Sequence, residues 1–342
     1  MLIIKKNKLI VSILLIILFL IEYFYIKDIN TLFITGYNDE VNRAIVYDAR
    51  FYYEFVSNFG KDTLVYLKLF GPLSISYIFD NNLLYIFFFY FTFFLLSIYS
   101  FVHYLKGKKI LFFIFLLFYP VMVGSLYGAN KEITSYISLL FMLTYIISSK
   151  KRYLLLAFSF AILSRFELVL VYIAYLIISR FQKKMRIISI IIMLFTISVI
   201  LKVFHLTNLE RLNSLITEKS TGLSLLFANM SDDGLYFLVF PFRAMMNMYS
   251  GIFAGFNLHY IVTIFLFISN IMFIVFTIMA IKKKNFFIEN NVFLLMLIYL
   301  IIFSSGYLIH HRYVAPIYVL LLYMAFFKQK KNLNYKWKKR KI

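Results

Sequence analysis

Four short polar stretches carry the chemistry of this sequence, and each interrupts long apolar runs. The first, "YNDEVNRAIVYDARFYYEF", runs from Tyr37 to Phe55. Read as a helix from Asn38, it pairs Asp39 with Arg43, Asp48 with Tyr52 and Arg50 with Glu54 at four-residue spacing, which puts each pair on one face. Carboxylates accept hydroxyl protons and aromatic rings stack on pyranose faces, so Asp39, Glu40, Asp48, Arg50, Tyr52 and Tyr53 together fit sugar binding. A salt-laced surface helix has the same spacings. The second stretch, "GANKEI" at 128 to 133, sets Asn130, Lys131 and Glu132 between two apolar runs. The third is "SRFE", Ser164 to Glu167, and the fourth is "HHRY", His310 to Tyr313. Adjacent histidines diverge on a helix and no HxxxH or HxxE spacing accompanies them, so Arg312 as an anion clamp is favoured over a metal site.

The elements that position these residues follow from composition. Of the 342 residues 63% are hydrophobic, and the mean hydropathy is +0.85. A soluble domain of this length has too little interior to hide so much apolar surface. The expected fold is all-α, a polytopic transmembrane helical bundle, because in hydrocarbon a helix satisfies its own backbone hydrogen bonds. The first apolar run lacks a small-residue cleavage site and is expected to stay as an uncleaved span. The absence of cysteine excludes disulfides, thiolate metal sites and a cysteine nucleophile.

The net charge of +21 sits in short clusters between apolar runs, which argues against a nucleic-acid groove. Lys5 to Lys8, Lys106 to Lys109, Lys150 to Arg152, Lys183 to Arg186, Lys282 to Lys284 and the tail 328–342 all satisfy the positive-inside rule if they are cytoplasmic. About ten spans result (range 9–12), at 9–26, 82–105, 110–127, 134–148, 153–164, 167–179, 187–203, 259–281, 291–307 and 313–327, with both termini cytoplasmic. Residues 1–342 form one integral-membrane domain with two long outward segments, 27–81 and 204–258. Each contains an apolar stretch with a break, at Gly71-Pro72 in 63–79 and at Pro241 in 235–256. "GANKEI" becomes the outward turn between the third and fourth spans. Stretch 153–179 has basic clusters on both sides, so it is expected to enter and leave on one face as a short hairpin; a single tilted helix over the whole stretch is the alternative. Each arm rises roughly 18 Å, so Ser164, Arg165 and Glu167 would lie below the outer surface. Of the 15 acidic residues only Glu289 falls clearly inside, and Glu22 lies in the first span. Arg43, Arg50, Arg165, Arg211, Arg243 and Arg312 fall outward.

Assembled, these pieces resemble the integral-membrane glycosyltransferases of the GT-C class, in particular the Wzy-type polymerases of O-antigen and capsule repeat units. The resemblance rests on "DARFYYEF" in the acidic first outward loop, a proline-ended third span followed by "NKE", the hairpin with "SRFE", and a late "HRYVAPI". "RLNSLITEKSTG", Arg211 to Gly222, is similar to the RX10G pattern of such polymerases, here in one copy. The resemblance implies a donor glycan on undecaprenyl pyrophosphate, transferred to a sugar hydroxyl of another lipid-linked unit at the outer face of a bacterial cytoplasmic (inner) membrane. It gives Lys131, Arg165, Arg312 and Arg211 the donor phosphates. Asp48 takes the acceptor proton, with Asp39, Glu40 and Glu132 behind it, while Tyr52, Tyr53, Arg50 and Glu167 hold sugar. No cofactor is expected, with a divalent cation left open; membrane lipid and a chain-length regulator protein are the expected partners. The near rival is a GT-C enzyme moving one sugar from polyprenyl phosphate, and the rival of another class is a lipid-glycan flippase or transporter.

Overall fold

The computed structural model describes residues 9–24, 70–80, 82–105, 110–119, 126, 131–207, 226, 229–249, 260–305 and 314–327. Among them every regular element is helical. Helix α1 is Leu9–Phe24, α2 Phe70–Ile78, α3 Leu83–Val102, α4 Ile110–Leu117, α5 Lys131–Ser148, α6 Lys151–Ser164 and α7 Phe166–Ile178. Then come α8 Lys183–Thr207, α9 Tyr236–Tyr249, α10 Tyr260–Lys282, α11 Asn291–Phe303 and α12 Tyr318–Phe326. Among the described residues two segments, Leu83–Val102 and Lys183–Val203, are long and apolar enough to cross a membrane. Large apolar side chains are also exposed along α1, α3, α6, α7, α8 and α10.

Helix α5 is the axis of the bundle. It packs against α3, α6, α11 and α12, and it is buried without interruption from Glu132 to Thr144. Its hydroxyls therefore need partners inside the protein. Ser138 Oγ donates to Ala157 O at 2.7 Å and meets the Tyr172 hydroxyl at 2.7 Å, while Thr144 Oγ1 returns to Leu140 O. Ser138 thus joins α5 to both arms of the expected hairpin. The chain breaks at Arg165, whose backbone is extended (φ −152°, ψ 136°), and Phe158 packs on Tyr172 with ring centroids 5.5 Å apart. In one continuous helix those two residues would stand ~21 Å apart, so the single-helix alternative is excluded.

Two expectations at prolines are corrected, one helix end and one break. The third span, expected as one helix over 110–127, stops at Leu117. The carbonyl of Leu116 would be met four residues on by Pro120, which has no N–H, and proline disfavours helical backbone before it. The Tyr136 hydroxyl from α5 caps Leu116 O at 3.0 Å instead, and the Tyr318 hydroxyl from α12 caps Phe115 O at 3.2 Å. In the other case Pro241 lies inside α9 without ending it, on an exposed face. The irregularity comes before it, in the wider turn Ser231–Leu235, where Gly234 takes φ 85°. Ser198 of α8 closes that junction by accepting the N–H of Phe237 at 2.9 Å. Gly71 and Pro72 fall among the first described residues of α2, and the stretch 63–69 before them lies outside the described residues. Gly71 presses on the hairpin tip so closely that a Cβ there would stand 1.7 Å from Leu163 O.

The described basic stretches gather at one end. Arg186 donates to the carbonyls of Ser179 (2.5 Å), Phe181 (2.9 Å) and Ile288 (3.1 Å), and Lys183 pairs with Glu289 at 3.0 Å. Asn285 donates to the carbonyls of Met324 and Phe327, and Lys283 to that of Phe326, which closes the C-terminus of α12. Tyr323, on that last turn, packs on Phe101 near the end of α3.

Candidate functional site

At the opposite end the structure brings Lys131 and Glu132, the described charged residues of "GANKEI", together with "SRFE". Lys131 and Glu132 are not in a turn: they open α5, and Glu132 is buried in its first turn. That placement suits a carboxylate, since the helix N-terminus carries partial positive charge. Arg165 Nη2 donates to Glu132 Oε1 at 2.7 Å, with the side chains 12% and 2% exposed respectively. The Lys131 carbonyl accepts from Ser135 Oγ at 2.8 Å and Ser164 Oγ at 3.0 Å, and the two serine hydroxyls also contact each other. The hairpin tip is thereby fixed onto the start of α5. Glu167 is exposed in the first turn of α7, so two helix N-termini flank the Arg165 guanidinium. That guanidinium lies 5.9 Å from the Phe303 ring at the end of α11.

Beyond Phe303 lies a second buried group that sequence reasoning did not assign. Arg243 of α9, 1% exposed, donates from Nε to Ser304 O at 2.9 Å and from Nη1 to Ser231 Oγ at 2.9 Å. Asn247 donates to Ser304 Oγ at 3.1 Å, and the Tyr236 hydroxyl to Ile301 O at 2.5 Å. Asp232 is buried beside Ser231. The last carbonyls of α11 are thus satisfied from α9, and α11 ends with an arginine on either side. The visible signal was Arg243 alone in an apolar run, four residues before Asn247 and with Asp232, Asp233 and Gly234 upstream.

Asp39, Glu40, Asp48, Arg50, Tyr52, Tyr53, Arg211 and Arg312 lie outside the described residues. Of the expected site, Lys131, Glu132, Arg165 and Glu167 are brought to one place. Among the described residues no group of three His, Asp or Glu could hold a metal ion. Comparison with protein families, curated proteins and solved structures finds no match to this chain.

Proposed function

We propose that the chain is a polytopic membrane protein of about ten spans that polymerises lipid-linked oligosaccharide repeat units into a surface polysaccharide. The membrane part is supported by helices positioned where the apolar runs predict them and by the apolar side chains exposed around them. A sheath of leucine, isoleucine and phenylalanine facing outward is what hydrocarbon solvates and water does not. The observation that carries the enzymatic part is the convergence of Lys131, Glu132, Arg165 and Glu167 at the end remote from the basic clusters.

In the reaction, the acceptor hydroxyl oxygen attacks the anomeric carbon of the donor glycan. The bond from that carbon to the pyrophosphate oxygen breaks, and the bonding pair leaves with undecaprenyl pyrophosphate. The hydroxyl proton passes to a carboxylate, for which Asp48 is the first choice and Asp39, Glu40 and Glu132 follow. Lys131 and Arg165 stabilise the charge that develops on the leaving group, helped by the N-termini of α5 and α7. Arg211 and Arg312 serve as further donor contacts, and Tyr52, Tyr53, Arg50 and Glu167 as sugar contacts. Arginine suits the task because its planar fork matches phosphate oxygens two at a time.

The test is genetic. Arg165→Ala should abolish glycan extension, by at least ~100-fold, as expected for losing a transition-state donor. The lipid carrier should then accumulate a complete single repeat. An incomplete repeat would instead identify a one-sugar transferase, and translocation of carrier by purified protein in liposomes without bond formation would reject the enzyme. The reciprocal exchange of Glu132→Arg with Arg165→Glu controls for folding. It rebuilds the ion pair, so protein level should recover while extension stays lost.

A further inference from the structure

At the basic end, the start of α6 and the residues just past α3 form a notch with a defined arrangement. Lys150 Nζ stands 5.5 Å from the Tyr104 ring centroid, and the Arg152 guanidinium 4.8 Å from that of Tyr153. Arg152 also donates to the Tyr153 hydroxyl at 2.9 Å. The two rings meet edge to face at 5.9 Å, with His103 against the far side of Tyr104 at 4.8 Å. Each long cationic side chain therefore rests on an aromatic surface, which limits the rotamer freedom that a ligand would otherwise have to freeze. No acidic residue lies in the first turn of α6, and Lys150, its N-cap, makes no side-chain cap bond. Glu289, at the same end, is paired with Lys183. Among the described residues no carboxylate pairs with Lys150 or Arg152, so the notch holds net positive charge beside the positive end of a helix.

The adjoining surface is apolar. Arg152, Leu155, Ser159 and Ile162 follow one exposed face of α6, with Leu155 69% and Ile162 55% exposed. From the notch this face runs about 15 Å toward the middle of the bundle, roughly the length of an acyl chain. Phosphate chemistry and hydrocarbon are thus offered side by side, at the distance found within one lipid molecule.

We propose that this notch binds an anionic glycerophospholipid, with Lys150 and Arg152 on the phosphodiester and one acyl chain along Leu155 and Ile162. The site takes the bilayer arrangement from the functional reading above but is independent of glycosyl transfer. Free phosphate compounds share the headgroup chemistry, and the apolar face of α6 selects the lipid.

Native mass spectrometry of the full chain tests it, using phosphatidylglycerol, phosphatidylcholine and glycerol phosphate as separate probes. Phosphatidylglycerol should be retained over phosphatidylcholine, and Lys150→Ala with Arg152→Ala should weaken its binding by roughly thirtyfold, given the attraction of two basic side chains to an anionic headgroup. Lys184→Ala with Lys282→Ala, which removes the same charge from elsewhere at this end, should leave it unchanged. Leu155→Ser should weaken phosphatidylglycerol alone. Equal retention of the two lipids, or equal loss in both double variants, overturns the site. Glycerol phosphate bound as tightly as phosphatidylglycerol overturns the lipid and leaves a soluble phosphate compound as its ligand. Retention is read without any transfer reaction, so failure of one hypothesis leaves the other standing.

Discussion

Individual ionisable residues reveal their surroundings most directly at the basic end. Tyr104 lies past the last residue of α3, and the Tyr153 hydroxyl, followed by the Lys150 ammonium, lowers its phenol from 10.0 to about 8, against the opposing effect of burial. The phenol behaves as a built-in probe, since a place that favours a phenolate also favours a phosphate. Because the folded value is depressed, the stabilisation belongs to the ionised form. It is complete above the unfolded value near ~10 and lost as pH falls through about 8. The groups facing this phenol are His103, Lys150, Arg152 and Tyr153. Tyrosinate absorbance should therefore rise between pH 7 and 9 in the folded chain and vanish from that range in Tyr104→Phe. Phosphatidylglycerol retention should fall over the same interval, because the new phenolate repels the phosphate, and Tyr104→Phe should remove that fall. A first tyrosinate step only near pH ~10 would show that the cations do not act on Tyr104. Arg165 and Arg243 were both legible as arginines in apolar surroundings. Their partners were not: Glu132 is 33 residues from Arg165 and Ser304 is 61 residues from Arg243, and such pairings come from packing rather than spacing.

At the scale of elements, apolar runs bounded by charge placed most of the described helices correctly, because a long apolar run away from water must close its own backbone hydrogen bonds. The misjudged boundaries had local causes that act at a distance. Pro120 ends α4 three residues ahead of itself, and tyrosines from α5 and α12 make that early ending tolerable. Pro241 stays inside α9 on its exposed side, while the kink moves to Gly234. Gly71 is the sharpest constraint, because its α-carbon faces the backbone of Leu163 rather than a side chain that could turn aside. Gly71→Ala should force α2 off the hairpin tip and shift Arg165 with it. Size-exclusion of a fluorescent fusion should show loss of the monodisperse peak, or retained protein with a large loss of glycan extension. Gly71→Ala indistinguishable from wild type in both measurements would mean that α2 does not bear on the tip.

For the whole molecule, the decisive quantity is the separation of two kinds of charge. Lysine-rich ends, with Arg186 tied to the carbonyls of Ser179 and Ile288, lie at one pole, and the Glu132–Arg165 pair with the Arg243 group lies at the other. The clusters forecast this polarity because cytoplasmic loops retain Lys and Arg while outward loops do not. What the clusters do not forecast is that the remote pole holds buried pairs, so that the Arg165 and Arg243 guanidiniums sit inside the bundle rather than on loops. If that pole faces away from the cytoplasm, exposed residues at the two ends must differ in access from outside the cell. The chain has no cysteine, so a single introduced thiol reports without background. Asp233→Cys, at an exposed position beside the Arg243 group, should react with a membrane-impermeant maleimide in intact cells. Lys184→Cys, exposed at the basic pole, should react only after the membrane is opened. Both thiols reacting in intact cells would mean that no bilayer divides the poles. Reversed labelling would put the Glu132–Arg165 pair on the cytoplasmic side, where nucleotide sugars rather than lipid-linked repeat units waiting for polymerisation would be its natural donors.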